Sequence, residues 1–196
     1  MNTRSASSPL VALLMGSISD WPILKEAANT LRAFNVPFEA RVLSAHRTPE
    51  EAAAYARAAE ARGLQVLIAA AGGAAHLAGA LAAHSTLPVL GILLSGTPLQ
   101  GQDALLATLQ MPPGIPVGTL AIGAWGATNA ALLAVQILAL HDADLRQRLH
   151  DHRTAMKTKA LAANAQLQQE LAAPAEGSAA NLLDRDLKLR RSVLGA

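Results

Sequence analysis

Three short segments of the 196-residue chain join small residues to side chains that can do chemistry. The first, GSISD (16–20), offers the hydroxyls of Ser17 and Ser19 and the carboxylate of Asp20. Amides at a helix N-terminus hold phosphate through their N–H groups and the helix dipole. Asp20 would repel that phosphate, so its better use is to accept the hydroxyl protons of a ribose. The competing reading is that Ser19 or Asp20 only caps a helix. The second segment, SAHR (44–47), sets His46, which titrates near neutrality, beside Arg47, a permanent cation whose fork fits phosphate. A surface or capping histidine is the alternative there. The third, AGGAAH (71–76), puts His76 just after Gly72, Gly73 and Ala74, and the same two readings stand for it.

Other chemistries lack their residues. There is no HExxH and no carboxylate pair on one helix face, so no metal site is expected. GxGxxG and GxxxxGK[ST] are missing, which argues against dinucleotide and P-loop sites. The chain has no cysteine, which excludes disulfides and thiol nucleophiles and fits a reducing cytoplasm.

Each of the three segments follows an expected strand, and the first of these, Leu10 to Met15, is a continuous apolar run with the signature of burial on both faces. Leu10 to Met15 leads into GSISD, and a helix starting near Pro22 buries Leu24, Ala27, Ala28 and Leu31. Phe38 to Leu43 leads into SAHR, and Thr48-Pro49-Glu50-Glu51 reads as a capping box that opens a helix ending at Gly63. Gln65 to Ala70 leads into the two glycines and a helix from Ala74 to about Ser85. Pro88 to Leu94, a short helix from Gln102 to Gln110, a strand from Val117 to Ile122 and a helix from Ala127 to Leu140 follow. Five βα units predict a parallel, doubly wound sheet, with ligands beyond the carboxyl ends of the strands where the strand order reverses.

Residues 142–171 read as further helix, so a single α/β domain is expected over 9–171. A linker and a last amphipathic helix are expected over 172–196, and disorder in the first eight residues. Ala104 to Leu140 carries no charge, but its prolines, glycines, Asn129 and Gln136 read as turn, strand and buried helix rather than a membrane span. Charged residues are 15% of the chain, against about 25% in ordinary globular domains. The first 140 residues hold only seven basic and seven acidic groups, so much of the apolar surface is expected to face other subunits. A net charge of +2 without a basic stripe gives no support for nucleic-acid binding.

In order along the chain, GSISDW, SAHRTPEE, AGGAAHL, LPVLGI, QMPPGIPVGTLAIG and GATNAALLA closely resemble the class I PurE family, the N5-carboxyaminoimidazole ribonucleotide mutases. The match runs from about residue 10 to residue 140 and is loose beyond Asp142. The resemblance implies a three-layer α/β/α flavodoxin-like sandwich with extra C-terminal helices, a homo-octamer, and no metal or cofactor. It implies that His46 is the catalytic histidine. Ser17, Ser19 and Asp20 would contact substrate, with Asp20 on the ribose, and Ser44 and Arg47 would lie on the phosphate side. Gly72, Gly73, Ala74 and His76 would form the loop over the imidazole and the transferred carboxylate. The implied reaction moves a carboxylate from the exocyclic nitrogen to ring carbon 4 through released carbon dioxide.

The chain departs from the family's usual pattern at Ala70 and Ala71, Ala78, Leu93-Leu94 and Ala104, which bears on loop shape more than on reaction type. Two rivals remain. One is an aminoimidazole ribonucleotide carboxylase that takes carbon dioxide directly. The other is a non-catalytic phosphoribosyl- or flavin-binding module, for which a TGxT-like loop is missing and aromatics are only 3%.

Overall fold

A computed structural model of the chain describes residues 8–172. In chain order the elements are β1 (Val11–Met15), a 3-10 turn (Ile18–Asp20), α1 (Trp21–Ala33), β2 (Phe38–Val42), α2 (Pro49–Ala59) and β3 (Val66–Gly72). They continue with α3 (His76–Ala82), β4 (Val89–Leu94), α4 (Gln102–Leu109), β5 (Gly118–Ile122), α5 (Gly123–Leu138) and α6 (Ala143–Ala172). All neighbouring strands pair in parallel, in the order β2-β1-β3-β4-β5. This order makes the fold flavodoxin-like, with its reversal between β1 and β3.

The layers follow from the side chains. Every residue of β1 and β4 is buried, as continuous apolar strands covered by helices must be. On one face α1 packs against α5, and on the other α2 meets α3 and α3 meets α4. The stripe expected on α1, Leu24, Ala27, Ala28 and Leu31, is the buried one. The facing stripe of α5 is mostly alanine, with Gly126 at its start. A Cβ on Gly126 would overlap the carbonyl oxygen of Ala121, so the first turn of α5 can leave β5 only with glycine there.

The two edge strands are less covered: β5 has no fully buried residue, and β2 is exposed over its last three residues. Its other end is tied down by Glu39, which accepts from the Tyr55 hydroxyl at 2.6 Å and pairs with Arg62 and Arg41. Burial pushes the Glu39 carboxyl up, but hydrogen bonds from Tyr55 and Arg62 and the charge of both arginines outweigh it, leaving it below the usual carboxylate range. Burial, together with the hydrogen bond to Glu39, holds the Tyr55 hydroxyl protonated well above the ordinary phenol range.

Several local expectations are corrected. Thr48 makes no side-chain cap, because its hydroxyl accepts from the Ser44 N–H at 2.9 Å and donates to the Ser44 carbonyl at 3.2 Å. Asp20 holds the N-cap position of α1, but its side chain makes no cap hydrogen bond to the helix. The capping box is instead at Ser17, whose N–H donates to Asp20 Oδ2 at 3.0 Å. Helix α3 stops at Ala82, three residues early, and α5 begins at Gly123, four residues early. The departures at 70, 71, 93 and 94 lie in β3 and β4 rather than in loops.

The chain divides into two units, residues 1–148 and 149–196. In the second, the described part is the continuation of α6, exposed from 153 to 172. Ala172 closes α6, and the rest of the expected linker and terminal helix lies outside the described residues. No helix among the described residues is long and apolar enough to cross a membrane. The charge-free stretch from Ala104 is divided among α4, β5 and α5.

Candidate active site

At the carboxyl ends of β1, β2 and β3 the three segments meet around a cavity of about 320 Å³. Its wall takes Ser17 and Asp20 from the first segment, Ser44, His46 and Arg47 from the second, and Gly72 and His76 from the third. Ser19, Gly73 and Ala74 are not in that wall. The Ser19 hydroxyl donates to Ser17 Oγ at 2.8 Å. Gly73 supplies a left-handed turn at φ 62. Ala74 lines a second cavity of about 280 Å³, which His76 also borders. Gly16, Ala45, Ala70, Ala71 and Leu77 complete the first cavity; they lie in or beside the three segments and bring no polar side chain of their own.

The loop after β2 is organised by one hydroxyl. Ser44 Oγ accepts from the His46 N–H at 3.4 Å, the Arg47 N–H at 3.1 Å and Arg47 Nε at 3.4 Å. Arg47 Nη2 also donates to the carbonyl of Gly16, so the guanidinium bridges the first and second loops. A smaller cavity of about 250 Å³, bordered by Ser17, Ser44, Arg47 and Thr48, lies along that bridge. In the first loop, Asp20 Oδ2 is taken by the Ser17 N–H, whereas Oδ1 has only a 3.5 Å contact from Ser19 Oγ. That oxygen keeps accepting capacity.

His46 and His76, thirty residues apart in sequence, are in direct contact. Nε2 of His46 lies 2.7 Å from Nδ1 of His76. The rings stand edge to face, 4.9 Å between centroids at 88°. At that separation one nitrogen carries the hydrogen and the other accepts it. The pair therefore bridges one proton, and protonating both facing nitrogens breaks the contact. Such a pair can give and regain a proton at one place.

Above the third loop, Thr97 Oγ1 donates to Asp103 Oδ2 at 2.7 Å. That bond, with the N–H of Ala104, holds the Asp103 carboxyl below its usual range. The Thr97 methyl lies 3.8 Å from where a Cβ on Gly73 would stand, so the segment before α4 covers the turn. Among the described residues no three His, Cys, Asp or Glu gather as a metal centre would require.

A crevice at the β1/β3 reversal, furnished with a histidine pair, a carboxylate and a bridged arginine, defines an α/β enzyme acting on a small polar molecule. The comparisons with known proteins are specific. A family model described as AIR carboxylase matches residues 10–159. The N5-carboxyaminoimidazole ribonucleotide mutase of Brucella melitensis is 55% identical over 145 residues, 74% of this chain and 90% of that one. The mutase of Escherichia coli K12 is 54% identical over 151 residues, covering 77% and 89%. That of Bacillus subtilis is 50% identical over 159 residues, covering 81% and 98%. The crystal structure of Treponema denticola PurE superposes with a TM-score of 0.72 at 26% identity, over 81% of this chain and 98% of that one. The chain belongs to the AIR carboxylase family, on the branch that holds these mutases.

Proposed function

We propose that the protein is an N5-carboxyaminoimidazole ribonucleotide mutase of de novo purine biosynthesis, with His46 as its general acid and base. The observation that carries this reading is the 2.7 Å contact between His46 and His76 in the wall of a cavity shared by the three loops. His46 delivers a proton to the exocyclic nitrogen as the N–C bond of the carbamate breaks and carbon dioxide leaves. The electron-rich ring then attacks the retained carbon dioxide through carbon 4. His46 removes the proton from carbon 4, the ring regains its aromaticity, and the histidine ends as it began. No electrons are exchanged and no co-reactant is consumed, so the step balances with one titrating group. His76 holds the His46 ring edge-on and fixes which nitrogen carries the hydrogen.

Arg47 takes the phosphate, supported by its fixed place between Gly16 and Ser44. Ser44 sets the loop that presents it. Asp20 accepts from the ribose through its less engaged oxygen, with Ser17 and Ser19 beside it. The Gly72-Gly73-Ala74 turn with His76 lies over the imidazole and carboxylate.

The working form is a homo-octamer in the cytoplasm. Trp125 is 81% exposed and Leu106 64% exposed on a body with few charges, which supports burial of these side chains between subunits.

A second reading, direct carboxylation of aminoimidazole ribonucleotide by carbon dioxide, is favoured by the matching family's description. Purified protein given either the carbamate substrate, or aminoimidazole ribonucleotide plus bicarbonate, separates the two. Turnover is expected on the carbamate, and turnover on the second mixture alone overturns the mutase reading.

A further inference from the structure

We propose that Ala75 is a positioning residue for the histidine pair: its methyl group, seated beneath the third loop, holds a left-handed backbone that aims His76 at His46. The proposal rests on the mutase reading only for the name of the rate it alters.

Ala75 has φ 51 and ψ 36 and stands immediately before His76, the first residue of α3. Alanine is disfavoured there because its Cβ crowds the neighbouring carbonyl, and glycine would adopt the same angles freely. Two other non-glycine residues among those described have positive φ, Asn35 and Gln100. Both are exposed and polar, whereas Ala75 is 7% exposed. Its side chain lies in a small apolar cluster with Leu93 and Ala104, bordered by Ala71, Leu105 and Ile122. Its N–H donates to the Gly72 carbonyl at 3.1 Å, closing the turn around Gly73. The strained angles are thus held from below by the methyl and from behind by the turn.

The His76 ring has little else to aim it. It borders the 320 Å³ cavity on one side and the 280 Å³ cavity on the other. Helix α3 has seven residues and no side-chain cap. The direction of the ring therefore depends on where the backbone at residue 75 starts the helix. A displacement of an ångström at a proton-transfer pair lowers rate sharply.

The test is Ala75→Gly in the full chain. It keeps the angles accessible, removes the methyl and relieves strain, so the melting temperature is expected to stay close to that of the parent. Turnover is expected to fall by about tenfold or more with KM nearly unchanged. Nitrogen-15 NMR of the imidazoles is expected to change from one fixed His76 tautomer to an averaged one. Ala75→Ser, which keeps a Cβ, is expected to restore both. Ala104→Gly, which hollows the seat, is expected to slow the parent and to add nothing in the Ala75→Gly background. Parental turnover and a parental imidazole spectrum in Ala75→Gly overturn the proposal. So does a lower melting temperature with an unchanged tautomer, which marks a purely structural methyl. If the parent itself fails to turn over the carbamate, the mutase reading falls, and the imidazole spectra still decide the role of Ala75.

Discussion

Ser44 Oγ meets three N–H donors within the loop it begins, so its hydroxyl is a pivot for His46 and Arg47. Arg47 in turn spans two loops, and its removal deletes a charge-assisted phosphate contact together with that bridge. Arg47→Ala is expected to weaken a phosphoribosyl ligand by about 30-fold or more in Kd, read by calorimetry; lost turnover at unchanged affinity would move Arg47 out of the phosphate site. Arg47→Lys is expected to recover little, because an ammonium cannot reach Gly16 and Ser44 with a fixed fork. His46→Asn is expected to bind substrate normally and to lose at least about 100-fold in turnover, since an amide cannot shuttle a proton. The paired variant His76→Asn, which breaks the 2.7 Å contact, is expected to slow turnover less. If His76→Asn abolishes turnover while His46→Asn retains it, the roles are reversed. The residue types at these positions were legible one by one. Their contact was not, because nothing in the string shows that a left-handed alanine turns His76 toward a residue thirty positions earlier.

At the scale of elements, the strand segments, their small-residue exits and the turn and capping residues between them identify all five βα units in a chain with few charges. Boundaries fared worse where one side chain had two possible uses. The Thr48 hydroxyl could cap α2 or brace Ser44, and the loop took it. The glycines of GAWGA read as a break, yet Gly126 is what lets α5 start against β5. Gly126→Ala is accordingly expected to destabilise the fold by about 3 kcal/mol, the upper part of the range for overpacking, measured by denaturant unfolding; a change under about 0.5 kcal/mol, typical of neutral surface sites, would contradict that account. The Glu39 network gives a pH dependence with a definite sign. Its carboxyl is lowered in the folded chain, so its contribution is present above the unfolded glutamate value of about 4.3 and is lost as pH falls through the folded value. Compared with Glu39→Gln, the parent is expected to be more stable at pH 7, with the gap closing below about pH 4. A gap that persists at low pH would show that packing, not charge, ties β2 to α2.

For the whole molecule, the sparse charge is the ground for the proposed assembly, and the exposed Trp125, Leu106 and Leu109 are the side chains that such an assembly would cover. The number of copies is not written in composition and entered only through resemblance. Light scattering is expected to give eight times the 20.2 kDa chain mass, and a monomer at micromolar concentration would refute assembly. Trp125→Arg, which would bring a charge into the interface proposed at this exposed side chain, is expected to lower the assembly order without unfolding the subunit. An unchanged mass would place Trp125 outside any interface.

The histidine pair straddles two very different supports. His76 follows β3, which is flanked by strands on both sides, while His46 follows β2, which has a strand on one side only. The Glu39 network secures the beginning of β2, and its far end is held by the Leu43 N–H to the Met15 carbonyl at 2.8 Å. Hydrogen–deuterium exchange should therefore release the amides of Arg41 to Leu43 well before those of Leu13 or Ile68, through local opening rather than global unfolding. On warming, the same opening takes His46 away from a sheet that is still intact. Turnover is then expected to fade several degrees below the calorimetric transition and to return on cooling, an inactivation that leaves no trace in the far-ultraviolet spectrum.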